Sequence, residues 1–179
     1  DPNTACPLLI RMPTRGRPQQ ALQVLAAYRR LADSNVTIEV VLDHDDETMM
    51  NVQVLQQLCD LDVTVCAGEH KSKIDAVNSG RVNDWSILAL ASDDMVPIKQ
   101  GYDRRIVEEM NKHFPLRDGL IYFNDGYQKD HAGERERVLC TLPILGRHYW
   151  EMFGYVYYPG YGSLYCDDEW EQEQCQWCD

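Results

Sequence analysis

Asp43-His44-Asp45-Asp46 and Ser92-Asp93-Asp94 are two acidic clusters, and each follows directly on an apolar run that reads as a buried strand. The runs are Thr37 to Leu42 and Ile87 to Ala91. Carboxylates gathered at strand ends repel one another unless a cation or a hydrogen-bonded ligand neutralises them. Hard oxygen donors of this kind suit Mg²⁺ or Mn²⁺, often with phosphate completing the coordination. In an open α/β sheet, ligands bind in the crevice past the carboxyl ends of the strands, which is where both clusters would fall. The simpler alternative is that these Asp residues cap the turns or helices that follow. A third acidic run, Asp167-Asp168-Glu169, lies between Cys166 and Trp170. Repulsion among three consecutive acids favours one poised to accept a proton, as a general base must. Its alternative is an exposed helix start steadied by the helix dipole.

The cationic candidates are Arg15 and Arg17, in Pro13-Thr14-Arg15-Gly16-Arg17-Pro18, and Lys71 and Lys73. Guanidinium forks match phosphate geometry, so Arg15 and Arg17 are candidate phosphate ligands. A solvated loop is the alternative for the arginines, and a helix-start surface lysine is the favoured reading for Lys71 and Lys73.

These residues need elements that aim them at one place. Pro7 to Met12 reads as a first strand, and Pro18 opens a helix where its missing N–H costs nothing. Leu22, Leu25, Tyr28 and Leu31 give that helix an apolar face. Val36 to Leu42 is strand two, and Thr48 to Leu58 has helical spacing. Val63 to Ala67 is a third strand, Lys71 to Val82 a third helix and Ser86 to Ala91 a fourth strand. A helix from Tyr102 to Phe114 and a strand over Leu120 to Phe123 follow. Strands alternating with helices predict an α/β fold with a mostly parallel sheet flanked by helices. The last third is rich in Tyr and Gly and then strongly acidic.

At 179 residues the chain has one domain's length, and its formal net charge of −12 argues against a nucleic-acid backbone as partner. A few local cations can still serve one nucleotide. No run approaches the roughly 20 apolar residues of a membrane span. Cys6, Cys59, Cys66 and Cys140 are scattered among apolar neighbours and complete an odd total of seven with Cys166, Cys175 and Cys178. That usage suits reduced thiols and a cytoplasmic location better than a disulfide framework.

The order of the pieces resembles the GT-A fold of nucleotide-sugar glycosyltransferases, in particular their broad family-2-like group. Leu8 to Pro18 is similar to that group's opening strand and nucleotide-lining loop, and Glu39 to Asp46 to its second strand, whose first terminal Asp reads the base. Leu88 to Pro97 resembles the metal-binding Asp-x-Asp strand, and Pro143 to Trp170 the acceptor-side segment that carries the catalytic base. The resemblance implies a single GT-A-like domain over 1–179, with a nucleotide-sugar half at 1–100 and an acceptor half at 101–179. It implies nucleotide-sugar contacts from Pro13, Thr14, Arg15, Arg17, Asp43, Lys73 and Asp93. It further implies Mn²⁺ or Mg²⁺ on Asp94 with Asp93 as helper, and a base at Asp168 with Asp167 and Glu169 as alternates. The expected activity moves a sugar from a nucleoside-diphosphate donor to a carbohydrate or glycoconjugate hydroxyl, with inversion at the transferred carbon.

Two departures stand out. The family's metal motif carries an acid at both outer positions, whereas Ala91-Ser92-Asp93-Asp94 does not. A His after the catalytic acid completes the metal site in related enzymes, and none follows His148; that ligand is absent or beyond a truncated C-terminus. His44 is a substitute ligand on this reading, with a capping or solvent-facing role the stronger alternative. Two other functions compete. Leu42-Asp43-His44-Asp45 resembles the Asp-x-Asp of haloacid-dehalogenase-type phosphohydrolases, but Glu47 breaks that motif and a strand and helix precede it. A catalytically silent nucleotide- or carbohydrate-binding domain would also show an irregular metal motif.

Overall fold

The computed structural model describes residues 7–123 and 140–161. Six strands form one sheet: β1 (Leu8–Pro13), β2 (Thr37–Asp43), β3 (Thr64–Gly68), β4 (Ile87–Leu90), β5 (Leu120–Ile121) and β6 (Ile144–Gly146). Five helices connect or flank them: α1 (Pro18–Leu31), α2 (Val52–Asp60), α3 (Lys73–Asn78), α4 (Tyr102–His113) and α5 (Arg147–Phe153). The sheet order is β3-β2-β1-β4-β6-β5. β1 pairs in parallel with both β2 and β4, and β2 with β3, whereas β6 runs antiparallel to β4 and to β5. Chain order thus reverses at β1, whose two neighbours lead away in opposite directions, and a crevice opens at such a switch point.

The central strands β1, β2 and β4 are buried on both faces, as their continuous apolar runs require. Leu8, Ile10 and Met12 of β1 join Ile38, Val40 and Leu42 of β2 and Ile87 and Ala89 of β4 on the face covered by α1, α2 and α4. The alternate residues Leu9, Leu88, Leu90 and Leu145 face α3 and α5, with Ile74, Val77, Trp85 and Tyr149. Two charged residues interrupt that second face. Arg11 and Glu39 stand opposite each other across β1 and β2, their side chains 5% and 0% exposed, with Nε 2.8 Å from Oε2. The other Glu39 oxygen accepts the backbone N–H groups of Arg81 (2.6 Å) and Val82 (2.9 Å). Arg11 Nη1 donates to the Val77 carbonyl at 3.2 Å. Neither charge is left without a partner, which is the condition for tolerating it at this depth.

These polar contacts account for where two helices depart from their sequence patterns. α2 begins at Val52 rather than near Thr48, because the Asp46 carboxylate draws in the N–H groups of Thr48 and Met49 and Asn51 supplies the cap. α3 starts after the Ser72 cap and stops at Asn78, short of Val82, because Glu39 claims the N–H groups of Arg81 and Val82 that a longer helix would use. β5 holds two residues rather than four, and Pro143 to Phe153 folds as a short antiparallel strand and helix where the sequence showed only an apolar stretch. Among the described residues no helix is long and apolar enough to cross a membrane, and Cys59 and Cys66 are free thiols.

Asp103, 1% exposed in the first turn of α4, ties that helix to the end of α1. Its carboxylate accepts the N–H of Asp33 (2.9 Å) and both the N–H (2.8 Å) and hydroxyl (2.6 Å) of Ser34. Burial alone would push this carboxyl up, but the hydrogen bonds outweigh it and hold it below the ordinary value of 3.8. Asp46 is depressed for the same reason: burial opposes, and bonds from Thr48, Gly16 and Met49 prevail. A folded-state pKa below the unfolded one stabilises at pH above the unfolded value and is lost as pH falls through the folded one. Urea midpoints should thus hold down to about pH 4 and then fall. Asp103→Asn should lower the midpoint near neutrality and flatten the acid limb; a limb unchanged in that variant would remove Asp103 from the cause.

Candidate active site

Four strand ends, those of β1, β2, β3 and β4, deliver the site. β1 ends at Pro13, and the next N–H, of Thr14, donates to the Val41 carbonyl at 3.1 Å, which holds the outgoing chain against β2. Gly16 then takes a left-handed turn (φ 71°), a conformation that suits glycine, so that Arg15 and Arg17 flank it before Pro18 opens α1. The Gly16 N–H donates to Asp46 at 2.7 Å. Asp46 is therefore a brace between the loops after β1 and β2, the capping role rather than a ligand role.

Asp43 closes β2 with both oxygens engaged. Oδ2 accepts from Arg15 Nη1 at 2.6 Å, and Oδ1 lies 2.7 Å from His70 Nδ1. Arg15 also forks onto Asp45, at 2.7 and 2.9 Å. The hydrogen bonds it donates to Asp45 and then to Asp43 hold the Arg15 charge even more firmly than usual, and Arg15 in return lowers the Asp45 carboxyl. On the other side of β1, Asp93 follows β4 with a side chain 9% exposed. Its Oδ2 accepts from the Thr14 hydroxyl at 2.5 Å and its Oδ1 from Arg17 Nη1 at 3.1 Å. The loop after β1 thus spans the switch point, with Arg15 on the carboxylate to one side and Thr14 and Arg17 on the carboxylate to the other.

Between them lies a cavity of about 490 Å³ lined by Pro13, Thr14, Arg15, Arg17, Val41, Asp43, Asp45, His70, Lys71, Ser72, Lys73, Ala76 and Asp93. Every nucleotide-contact residue expected from the sequence lies on this wall. Four cationic side chains face three carboxylates there, so a protein of net charge −12 has gathered basic groups at this switch-point crevice. Anionic ligands are favoured by that arrangement.

Asp94 is exposed and outside the cavity lining; its carboxylate accepts from the Ser92 hydroxyl. Asp167, Asp168 and Glu169 lie outside the described residues. His44 is exposed, with its backbone N–H on the Gly68 carbonyl. His70 is the site residue that sequence reasoning missed. Its signal was its place just past Gly68, at the carboxyl end of β3, where attention went instead to Lys71 and Lys73. Among the described residues no three His, Cys, Asp or Glu side chains converge as a ready metal site. Asp93 and Asp94 offer two hard carboxylates, the donor set with which Mg²⁺ is held when phosphates and water supply the remainder.

No protein-family model and no curated protein matches the sequence. Solved structures do match. Residues 1–349 of S. aureus TarS superpose with a TM-score of 0.62 at 12% identity, over 86% of this chain and 50% of that one. The mannosyltransferase PcManGT from Pyrobaculum calidifontis, in complex with GDP-Man and Mn²⁺, gives 0.62 at 16% identity, over 87% and 48%. A cytidylyltransferase from Leptospira borgpetersenii gives 0.55 at 11% identity, over 94% and 73%. The chain spans about half the length of the first two. At these identities the likeness concerns architecture, and the architecture is the GT-A type, a mostly parallel six-stranded α/β sheet that sugar- and nucleotide-transferring proteins share.

Proposed function

We propose that the chain binds a nucleoside-diphosphate sugar in the switch-point cavity and transfers the sugar to an acceptor hydroxyl. The observation that carries this reading is the convergence of Thr14, Arg15, Arg17, Asp43, Lys73 and Asp93 on one wall. Asp43, a pure acceptor, suits an N–H of the base. Arg15, Arg17 and Lys73 suit the diphosphate, whose charge grows as the glycosidic bond breaks and is met by fixed cations. Asp93 and Asp94 would hold a divalent cation, which when bound supplies further charge stabilisation to the leaving diphosphate. The complex named for PcManGT, with GDP-Man and Mn²⁺, supports this reading by architecture. Asp168, in the acidic run after the aromatic segment, is proposed as the base that takes the acceptor's proton, and inversion as the stereochemical outcome.

A calorimetric panel of UDP, GDP, CMP and their sugars, with and without Mn²⁺, tests the reading. A ligand of the folded state also raises the apparent stability by mass action. Asp43→Ala should weaken the preferred nucleoside diphosphate by about 1–3 kcal/mol, the scale for a lost hydrogen bond to a charged group. Unchanged affinity would move the base elsewhere. Asp168→Asn should keep nucleotide affinity and lower transfer about 10²-fold. If that variant and the corresponding Asp167 and Glu169 variants all turn over normally, the base lies outside this run.

The cytidylyltransferase likeness supports a second reading, nucleotidyl transfer, since that structure covers 94% of the chain. There the substrate is a nucleoside triphosphate and the product pyrophosphate. Pyrophosphate release from CTP or UTP, measured beside hydrolysis of nucleotide sugars, separates the two.

A further inference from the structure

Asp43 is held from two sides, and the two holders differ in kind. Arg15 is half-exposed, lines the cavity and shares its fork with Asp45. It is free to exchange carboxylate for phosphate when a diphosphate enters. His70 is not free in this way. Its side chain is 6% exposed, Nδ1 faces Asp43 Oδ1 at 2.7 Å, and Nε2 lies 2.8 Å from the Ser79 hydroxyl just past α3. A carboxylate only accepts, which assigns a proton to Nδ1. The ring also sits directly on Gly68, where a Cβ would lie 2.9 Å from Nε2. The last residue of β3 leaves room for the imidazole, and the end of α3 fixes its far nitrogen.

We propose that His70 is a positioning residue for base recognition. Resting on the nucleotide-binding reading above, it anchors Oδ1 of Asp43 so that Oδ2 stays aimed into the cavity once Arg15 has turned to phosphate. Without it, the carboxylate would lose its remaining anchor at the moment the base arrives. The Ser79–His70 pair therefore does for Asp43 what Thr14 and Arg17 do for Asp93 across the switch point.

The test measures UDP, GDP and inorganic pyrophosphate binding by calorimetry; both nucleotides carry a ring N–H that a carboxylate reads. His70→Ala should weaken the tighter nucleotide about tenfold, as for one hydrogen bond to a charged group, and leave pyrophosphate within about twofold. His70→Asn, whose amide can donate from near the Nδ1 position, should recover most of the loss. Gly68→Ala, which keeps the imidazole but displaces it, should reproduce part of it. His70→Ala combined with Asp43→Asn should bind no more weakly than the worse single variant, because both remove one device. Wild-type nucleotide affinity in His70→Ala, an equal loss of pyrophosphate, or multiplying losses in the double variant would each overturn the proposal. If the wild-type chain binds neither nucleotide, the functional reading falls and takes this one with it.

Discussion

Glu39→Ala should lower the unfolding free energy by about 3–5 kcal/mol, the cost of removing one partner of a buried ion pair. The substitution would strand the Arg11 guanidinium, 5% exposed, between β1 and β2. It would also remove the acceptor for two backbone N–H groups at 81 and 82, which hold the chain leaving α3 beneath the sheet. Glu39→Gln tests charge against shape: one oxygen still serves those N–H groups, but an amide facing Arg11 replaces attraction with donor–donor conflict. Replacing both charges, Arg11→Met with Glu39→Leu, should recover only part of the loss. Apolar substitution at a buried pair is often neutral or stabilising, yet here the N–H groups of Arg81 and Val82 would lose their shared acceptor, a cost of up to about 1–3 kcal/mol at the half-buried Val82. Urea midpoints of the three variants decide the matter. Full recovery in the double variant would show that the pair, and not the loop it ties down, carries the effect.

On the proposed glycosyltransferase reading, Asp93→Asn should lower sugar transfer by on the order of 10³-fold, equivalent to about 4 kcal/mol of transition-state stabilisation. Asparagine keeps the shape and can still accept from Thr14. It loses the charge that draws Arg17 and that would hold a cation, an interaction worth several kcal/mol at a developing phosphate charge. Asp94, which the sequence suggested as the principal metal ligand with Asp93 as helper, should cost less as Asp94→Asn, about tenfold, because it is exposed and stands outside the cavity lining whereas Asp93 lines it. Rates measured across a Mn²⁺ titration distinguish the two: raised metal should restore part of the Asp94→Asn rate and little of the Asp93→Asn rate. The reverse order would exchange their roles, and full wild-type activity in EDTA would show that no metal is needed.

The residues that sequence could reveal are those whose meaning is local. Ile10, Met12, Val40 and Leu88 sit in apolar runs that must be buried strands, and Leu22, Leu25, Tyr28 and Leu31 repeat at helical spacing. Thr14, Arg15, Asp43 and Asp93 became candidates because each lies just past such a strand, where a parallel sheet opens its crevice. What stayed hidden depends on register and on partners far along the chain. Arg11 and Glu39 look like interruptions until β1 and β2 are set side by side, 28 residues apart in sequence. His70 gains its meaning only when β3 lies next to β2, and Asp46 becomes a brace only when Gly16 is brought to it. The ends of α2 and α3 failed for a related reason: side chains competed for the N–H groups that helical periodicity assigned to the backbone.

Register also governs how the chain can change length. Arg11 pairs with Leu90, and Thr14 and Asp93 each stand three residues beyond that pair. Pro13 pairs with Val41, and Arg15 and Asp43 each stand two residues beyond. Both halves of the cavity are thus aligned by equal counting from a shared rung. Deleting one residue within β4 would draw Asp93 back by about 3.3 Å and turn it to the opposite face. Compensation would require a matching deletion in β1, which would in turn unseat Arg15 from Asp43. Single-residue insertions and deletions are therefore excluded from β1, β2 and β4, whereas the exposed stretch from Ile98 to Gln100, ahead of α4, has no such rung to keep.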